Sequence, residues 1–238
     1  MYDHGEYCPI SKAAQLLGER WTIQILREMH DGVTRFNEFR RYLPKLSPTL
    51  LNQRLRALEE QGLVMKRKRP EAQGYEYQLT QAGREFGPIL MALGHWAASW
   101  IAMQLGESDL NIDGLMRDVQ MSLLTENLPR GRTVLLFQFS DLATSNKWYL
   151  VADDGRTEIC DEDRAFDVDV YITTDARTLA EVWHGEAPLA PALAEGRIKL
   201  NGAPALQRSF PAWFGRSPFA LAREAALSGK SASMRAGV

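Results

Sequence analysis

Apolar residues recur along this chain with two different periods, and the change between them divides it. From position 10 to about 105 the helical period dominates. Residues 10–18 and 20–31 read as helices, the second with Ile23, Leu26 and Met29 on one stripe and Gly32 ending it. Residues 35–43 read as a short helix carrying Phe36, Phe39 and Leu43, and Pro44–Leu46 as a turn. Leu51, Leu55 and Leu58 then recur at i, i+4, i+7 as the buried stripe of another helix. Ser47 caps it, Pro48 sits in its first turn and Gly62 stops it. Residues 63–69 and 75–80 read as strands joined by a Pro70–Gly74 turn, with Tyr75, Tyr77 and Leu79 alternating against Glu76 and Gln78. A long helix is predicted from a Thr80 cap to about Leu105, bearing Phe86, Leu90, Leu93, Trp96, Ala97, Trp100 and Ile101.

Gly106–Asn111 reads as a linker, and beyond it the alternating period takes over. After a helix at 112–127, strands are predicted at 132–140, 147–152, 155–160 and 167–174, with Asp153–Gly155 as a hairpin turn. Helices follow at 175–185, 188–195 and 204–214, with GRIKLNG between the last two. The order implies an α+β domain in which an antiparallel sheet is covered by helices. The small polar tail at 228–238 is predicted to be flexible.

The polar side of the Leu51–Leu58 helix adds chemistry to this pattern. Thr49, Asn52, Gln53 and Arg56 recur at i, i+3, i+4, i+7, and Asn, Gln and Arg are the side chains able to bond base edges with two hydrogen bonds at once. Formal net charge is −2, which argues against a general polyanion binder. Its distribution points the other way locally: residues 35–69 carry ten Lys and Arg against three acids. A basic patch on a near-neutral chain is the footprint of a localised nucleic-acid site. Lys66, Arg67, Lys68, Arg69 and Arg35 are candidate phosphate contacts, supplying affinity rather than sequence choice, and Ser47 at the helix start is a further candidate DNA contact.

The segments Cys8–Ile10, Gly18–Glu28, Arg35–Val64 and Tyr75–Gly83 resemble the HxlR family of winged-helix regulators, a branch close to the MarR group. That resemblance implies a dimeric transcription factor. The helix from Ser47 to Gln61 would enter the major groove, the wing at Lys66–Gly74 would lie beside it, and the first and last helices would build the dimer. The wing tip Pro70–Gly74 departs from the family in lacking its further prolines. The stretch Asp167–Phe210 looks like the sterol carrier protein type two fold, which implies an apolar cavity between sheet and helices for a lipid-like or other hydrophobic small molecule.

On that basis Phe137, Phe139, Trp148, Trp183, Phe210 and Trp213 are candidate ligand contacts, although most aromatics of a small α+β domain are simply core. Cys8 is a candidate redox sensor. Tyr7 and Pro9 flank it and no Lys or Arg lies nearer than Lys12, so neighbouring charge gives no case for a lowered pKa. His4, His30, His95 and His184 are scattered, and no paired-cysteine or paired-histidine motif, phosphate loop or nucleophile elbow occurs. No metal, cofactor or catalysed reaction is expected.

With two cysteines, no signal-peptide pattern and no membrane-length apolar run, the chain reads as a soluble cytoplasmic protein. The domains are read as 1–106, for DNA binding and dimerisation, and 112–220, for ligand binding. The whole is read as a homodimeric, sequence-specific regulator, a repressor rather than an activator. It would bind a near-palindromic double-stranded operator and respond to a hydrophobic effector. Two alternatives stay open. One is a hydrophobic-ligand carrier with secondary DNA binding. The other is a redox-responsive regulator sensing through Cys8, with a ligand-free second domain.

Overall fold

The leucine stripe and the polar stripe around it settle opposite sides of one helix. In a computed structural model describing residues 7–69, 74–101, 106 and 110–230, Leu51, Leu55 and Leu58 are almost wholly buried, while Thr49, Asn52, Gln53 and Arg56 are exposed. The chain divides into two compact units, residues 1–94 and 95–238.

The first unit runs α1 (Pro9–Leu17), α2 (Thr22–His30), α3 (Phe36–Tyr42), α4 (Pro48–Glu60), β1 (Val64–Lys68), β2 (Tyr75–Leu79) and α5 (Gln81–Glu85). Its core is built by Ile25, Leu26, Phe39, Leu51, Leu55, Leu58, Val64, Tyr77 and Phe86 with their neighbours. Strands β1 and β2 pair antiparallel, Val64 opposite Leu79 and Lys68 opposite Tyr75. The Tyr77 amide donates to the Thr34 carbonyl at 2.8 Å, which ties the hairpin to the entry of α3.

The predicted single helix from Thr80 is broken in two. Thr80 does cap, its hydroxyl accepting from the Gly83 amide at 3.2 Å, but α5 ends at Glu85 and α6 (Gly87–Trp100) begins anew. Pro88 is the physical cause. It has no amide hydrogen to give to Arg84, so the ladder of α5 cannot run on through it, and it is tolerated where it stands because that is the first turn of a new helix. The division between the units falls within α6, and the predicted end of this helix at 102–105 lies outside the described residues.

In the second unit α7 (Ile112–Ser122) precedes β3 (Arg132–Phe139), β4 (Lys147–Asp153), β5 (Arg156–Cys160) and β6 (Val170–Thr174). Then come α8 (Ala176–His184), α9 (Leu189–Ala194), β7 (Lys199–Gly202), α10 (Pro204–Trp213) and α11 (Ala220–Ala225). The five strands lie in the order β5-β4-β3-β6-β7. The sheet is mixed, not antiparallel as expected, because β6 runs parallel to β3. After the β3–β4–β5 meander, residues 161–169 carry the chain back across the sheet to the far side of β3 before β6 begins, so β6 starts in the same direction as β3.

That crossover also covers one face of the sheet. Phe166 and Val168 pack on Val134, Leu136, Tyr149 and Val151. The Tyr149 and Phe166 rings are 5.1 Å apart, and burial, then the Asp163 carboxylate, pushes the Tyr149 phenol up. The opposite face carries Leu135, Phe137, Phe139, Trp148, Leu150, Val170 and Ile172 under α7, α8, α9 and α10.

Some elements were not expected from the pattern, among them a helical turn at Ala226–Lys230 that overlaps the start of the tail predicted to be flexible. Residues 199–202, within the GRIKLNG stretch between two predicted helices, form the edge strand β7 against β6. Beyond residue 220, α11 adds a buried arginine: Arg223 donates to the Ile101 carbonyl at 3.3 Å and pairs with Glu186 at 3.4 Å. Among the described residues no helix is long and apolar enough to cross a membrane.

Candidate nucleic-acid interface

Helix α4 is anchored at both ends by local bonds. The Ser47 hydroxyl accepts from the Leu50 amide at 3.3 Å, so this predicted contact residue is engaged in capping. At the other end the Gln61 amide donates to Ala57 and the Gly62 amide to Glu59, with Gly62 at φ 71°, a left-handed position that suits glycine. Between these caps Thr49, Asn52, Gln53 and Arg56 stand exposed on one side of the helix, over a buried leucine seam. Three planar, multiply bonding side chains on a rigid exposed helix can meet base edges in a groove.

The basic residues do not all share that availability. Lys66, Arg67 and Lys68 are exposed on β1, and Arg69 is half-buried just after it. The Lys66 ammonium sits 4.3 Å from the centre of the Tyr75 ring and 5.8 Å from that of Tyr77, across the hairpin. Such contacts hold the lysine stem in place while the charge stays wet. Arg35 is paired with Glu38 at 2.8 Å, and the same carboxylate accepts the Arg35 and Thr34 amides, closing the start of α3. Arg54, counted in the basic patch, is engaged within the protein. Its Nη2 pairs with Glu19 at 2.7 Å and its Nε donates to the Arg20 carbonyl at 2.8 Å. No local signal marks that role, because the partners lie some 34 positions away in sequence. The wing turn at 70–73 lies outside the described residues.

The six aromatic candidates of the second unit all lie buried in its main core, Phe137, Phe210 and Trp213 with no exposed surface. The three indole N–H groups are satisfied internally: Trp148 donates to the Ser145 carbonyl at 2.9 Å, Trp183 to the Ser122 hydroxyl at 2.9 Å, and Trp213 to the Leu206 carbonyl at 3.2 Å. Phe210 packs edge-on to Trp213 and stacks on Phe214. Two surface clefts of about 360 and 350 Å³ open on this unit, one beside Cys160, Arg164 and Phe166, the other around Arg130 and Asp153, and none of the six lines either. Among the described residues no three His, Cys, Asp or Glu side chains are grouped to hold a metal ion.

Cys8 departs from the expectation. It sits at the N-terminus of α1, where the Ser11 amide first, then the Ile10 amide and the Ser11 hydroxyl, hold its thiol below the ordinary value of 9.0. The lowering comes from helix-terminal donors rather than from neighbouring charge, which is why composition around the cysteine gave no sign of it.

Residues 16–105 match the HxlR-like helix-turn-helix family. YvaP of Bacillus subtilis, an uncharacterized HTH-type transcriptional regulator, is 38% identical over 101 residues, covering 42% of this chain and 94% of YvaP. The uncharacterized HTH-type transcriptional regulator sll1512 of Synechocystis sp. is 34% identical over 110 residues, covering 46% of this chain and 82% of that protein. Among solved structures, the reduced form of the transcriptional regulator YodB from B. subtilis is similar at 31% identity with a TM-score of 0.37, over 40% of this chain and 96% of that one. With nearly the whole of YvaP matched at this identity, the chain belongs to the HxlR-like helix-turn-helix family and is a DNA-binding transcriptional regulator.

Proposed function

We propose that the protein is a homodimeric repressor that reads a near-palindromic operator with Asn52, Gln53 and Arg56 and releases it when its second unit binds a hydrophobic small molecule. The observation that carries the DNA half is the exposure of these three side chains on a helix whose other face is fully buried. Thr49 and Ser47 stand at the same helix start, and Lys66, Arg67, Lys68, Arg69 and Arg35 supply phosphate contacts around it.

The dimer rests on apolar surface left uncovered. Along α6, Ile89, Leu93, Trp96 and Trp100 recur at intervals of four, three and four and are all exposed, Trp96 at 57% and Trp100 at 55%. On α1, Ile10 is exposed as well. Such a stripe is buried when a second copy packs on it, and two copies of a winged helix meet half-sites about one helical turn apart. Residues 1–106 then form the DNA-binding and dimerisation domain, and 112–220 a sterol-carrier-like effector domain.

The effector reading is supported by the aromatic core between sheet and helices. Since Phe137, Phe139, Trp148, Trp183, Phe210 and Trp213 are buried in that core, an apolar effector reaches them by parting the helix layer. Binding of that kind has differential affinity for an opened form, which is what allosteric release of DNA requires. Selection of operator sequences from random DNA, with and without a panel of fatty acids and aromatic hydrophobes, tests both halves. Enrichment of an inverted repeat supports the regulator, and loss of binding with one class of ligand supports the effector.

The lowered thiol of Cys8 favours a second reading, in which oxidation at the start of α1 changes the dimer and the second unit takes no ligand. Operator binding by wild type and Cys8→Ser before and after hydrogen peroxide separates the two.

A further inference from the structure

Arg54 is the one arginine of α4 facing away from the candidate base-reading set. Its side chain is 18% exposed, whereas Arg56 two positions on is open to solvent. The Nε–Nη2 edge of its guanidinium is used on the turn between α1 and α2: Nη2 pairs with the Glu19 carboxylate at 2.7 Å, and Nε donates to the Arg20 carbonyl at 2.8 Å. A planar fork with two fixed partners orients in a way that a lysine's point charge does not.

The turn it grips is strained. Trp21 has φ 76° and ψ −8°, the left-handed region that a bulky residue rarely adopts. The Arg20 carbonyl that Arg54 holds belongs to the peptide entering Trp21, and the Arg20 guanidinium carbon lies 5.4 Å from the centre of the Trp21 ring. Helix α1, on the other side of the turn, has no fully buried residue and reaches the core through half-buried Leu17 at its end, next to this turn. Strained conformations persist where surrounding contacts over-determine them.

We infer that Arg54 is a positioning residue for DNA recognition. It does not touch DNA. It locks α4 to the Glu19–Trp21 turn, so that α1 and the recognition helix move as one piece and Asn52, Gln53 and Arg56 meet the groove at a set angle. The inference rests on the reading of α4 as the DNA-reading helix. It makes Glu19, an acid at the edge of a basic face, a residue that helps DNA binding.

The test uses the full-length protein as wild type, Arg54→Gln and Glu19→Gln, each measured against its selected operator over a salt series. A positioning role predicts that Arg54→Gln weakens binding about tenfold, roughly 1.4 kcal/mol, with the slope of log affinity against log salt unchanged. Glu19→Gln weakens it in the same direction, although it removes a negative charge. A direct phosphate contact predicts the opposite pair of results: a slope reduced by about 0.9 in Arg54→Gln, and equal or tighter binding in Glu19→Gln. Either of those overturns the inference, as does unaltered operator affinity in Arg54→Gln. Hydrogen exchange without DNA gives an independent arm. Amides at 18–22 exchange faster in both variants if Arg54 holds the turn, and at the wild-type rate if it does not. Should the wild type itself select no DNA, the reading of α4 fails, and the exchange result still decides whether the latch exists.

Discussion

His30 Nε2 lies 3.0 Å from the Gly83 carbonyl oxygen and ties the last turn of α2 to α5, just before its break from α6. The joint leaves no room for side chains. A Cβ on Gly83 would stand 2.1 Å from the Leu63 carbonyl oxygen, and one on Gly87 would stand 2.9 Å from the His30 ring. Gly83→Ala is therefore expected to destabilise the first unit by about 3 kcal/mol, the upper end for forced overpacking, because the obstacle is backbone. Gly87→Ala costs less, since the ring can swing away at the loss of its hydrogen bond. Urea midpoints of the two variants check the order, and equal midpoints would show that the backbone at Leu63 yields.

Arg56→Ala is expected to weaken operator binding by roughly 1–3 kcal/mol and to relax preference at one base position. Binding measured on the operator and on random DNA separates the roles. An equal loss on both means that Arg56 contacts phosphate.

Trp96→Glu with Trp100→Glu places charge on the exposed stripe of α6. Sedimentation velocity should show monomer at concentrations where the wild type sediments as the proposed dimer, with operator affinity falling in parallel. A dimer that survives both changes rules out this face as the interface.

Cys8 should alkylate at lower pH than an ordinary thiol, with an apparent pKa under 9.0. Folding depresses this pKa, so just below 9.0 the unfolded chain holds more protons than the folded one, and stability from this group rises with pH there. It is fully present above the unfolded pKa and lost as pH falls through the folded one. A pH–rate profile with iodoacetamide, read on Cys160→Ser to remove the second thiol, gives the value. A midpoint at or above 9.0 contradicts the helix-terminal donors.

Phe210→Ala is expected to cost about 3–5 kcal/mol, since the ring is fully buried between Trp213 and Phe214. Thermal unfolding followed by near-ultraviolet circular dichroism reports it. A small loss would mean that the position tolerates an opening, as the effector reading needs.

Much of the first unit was legible because its signals are local. Helix α4 has its cap, its first-turn proline and its leucine stripe within a few turns, and periodicity alone separates Leu51, Leu55 and Leu58 from Asn52, Gln53 and Arg56. The second unit was legible in strands but not in topology. A strand's alternation says which residues share a face, and nothing in β6 says whether it lies parallel or antiparallel to β3. Strand β7 carries no clear pattern because it is only four residues long and its Asn201-Gly202 end reads as a turn.

By itself the sequence determined the order of helices and hairpin in the first unit, the exposed polar face of α4 and the presence of an aromatic-rich α+β unit, since each follows from spacing within one element. Only the tertiary structure decided how individual side chains are spent. It gave Arg54 to Glu19 and Arg20, lowered the Cys8 thiol through the amides of α1, and closed the six aromatics of the second unit into its core. Those outcomes depend on partners brought near by folding, and the energy of a charge or a thiol is set by what stands within a few ångströms of it rather than by its neighbours along the chain.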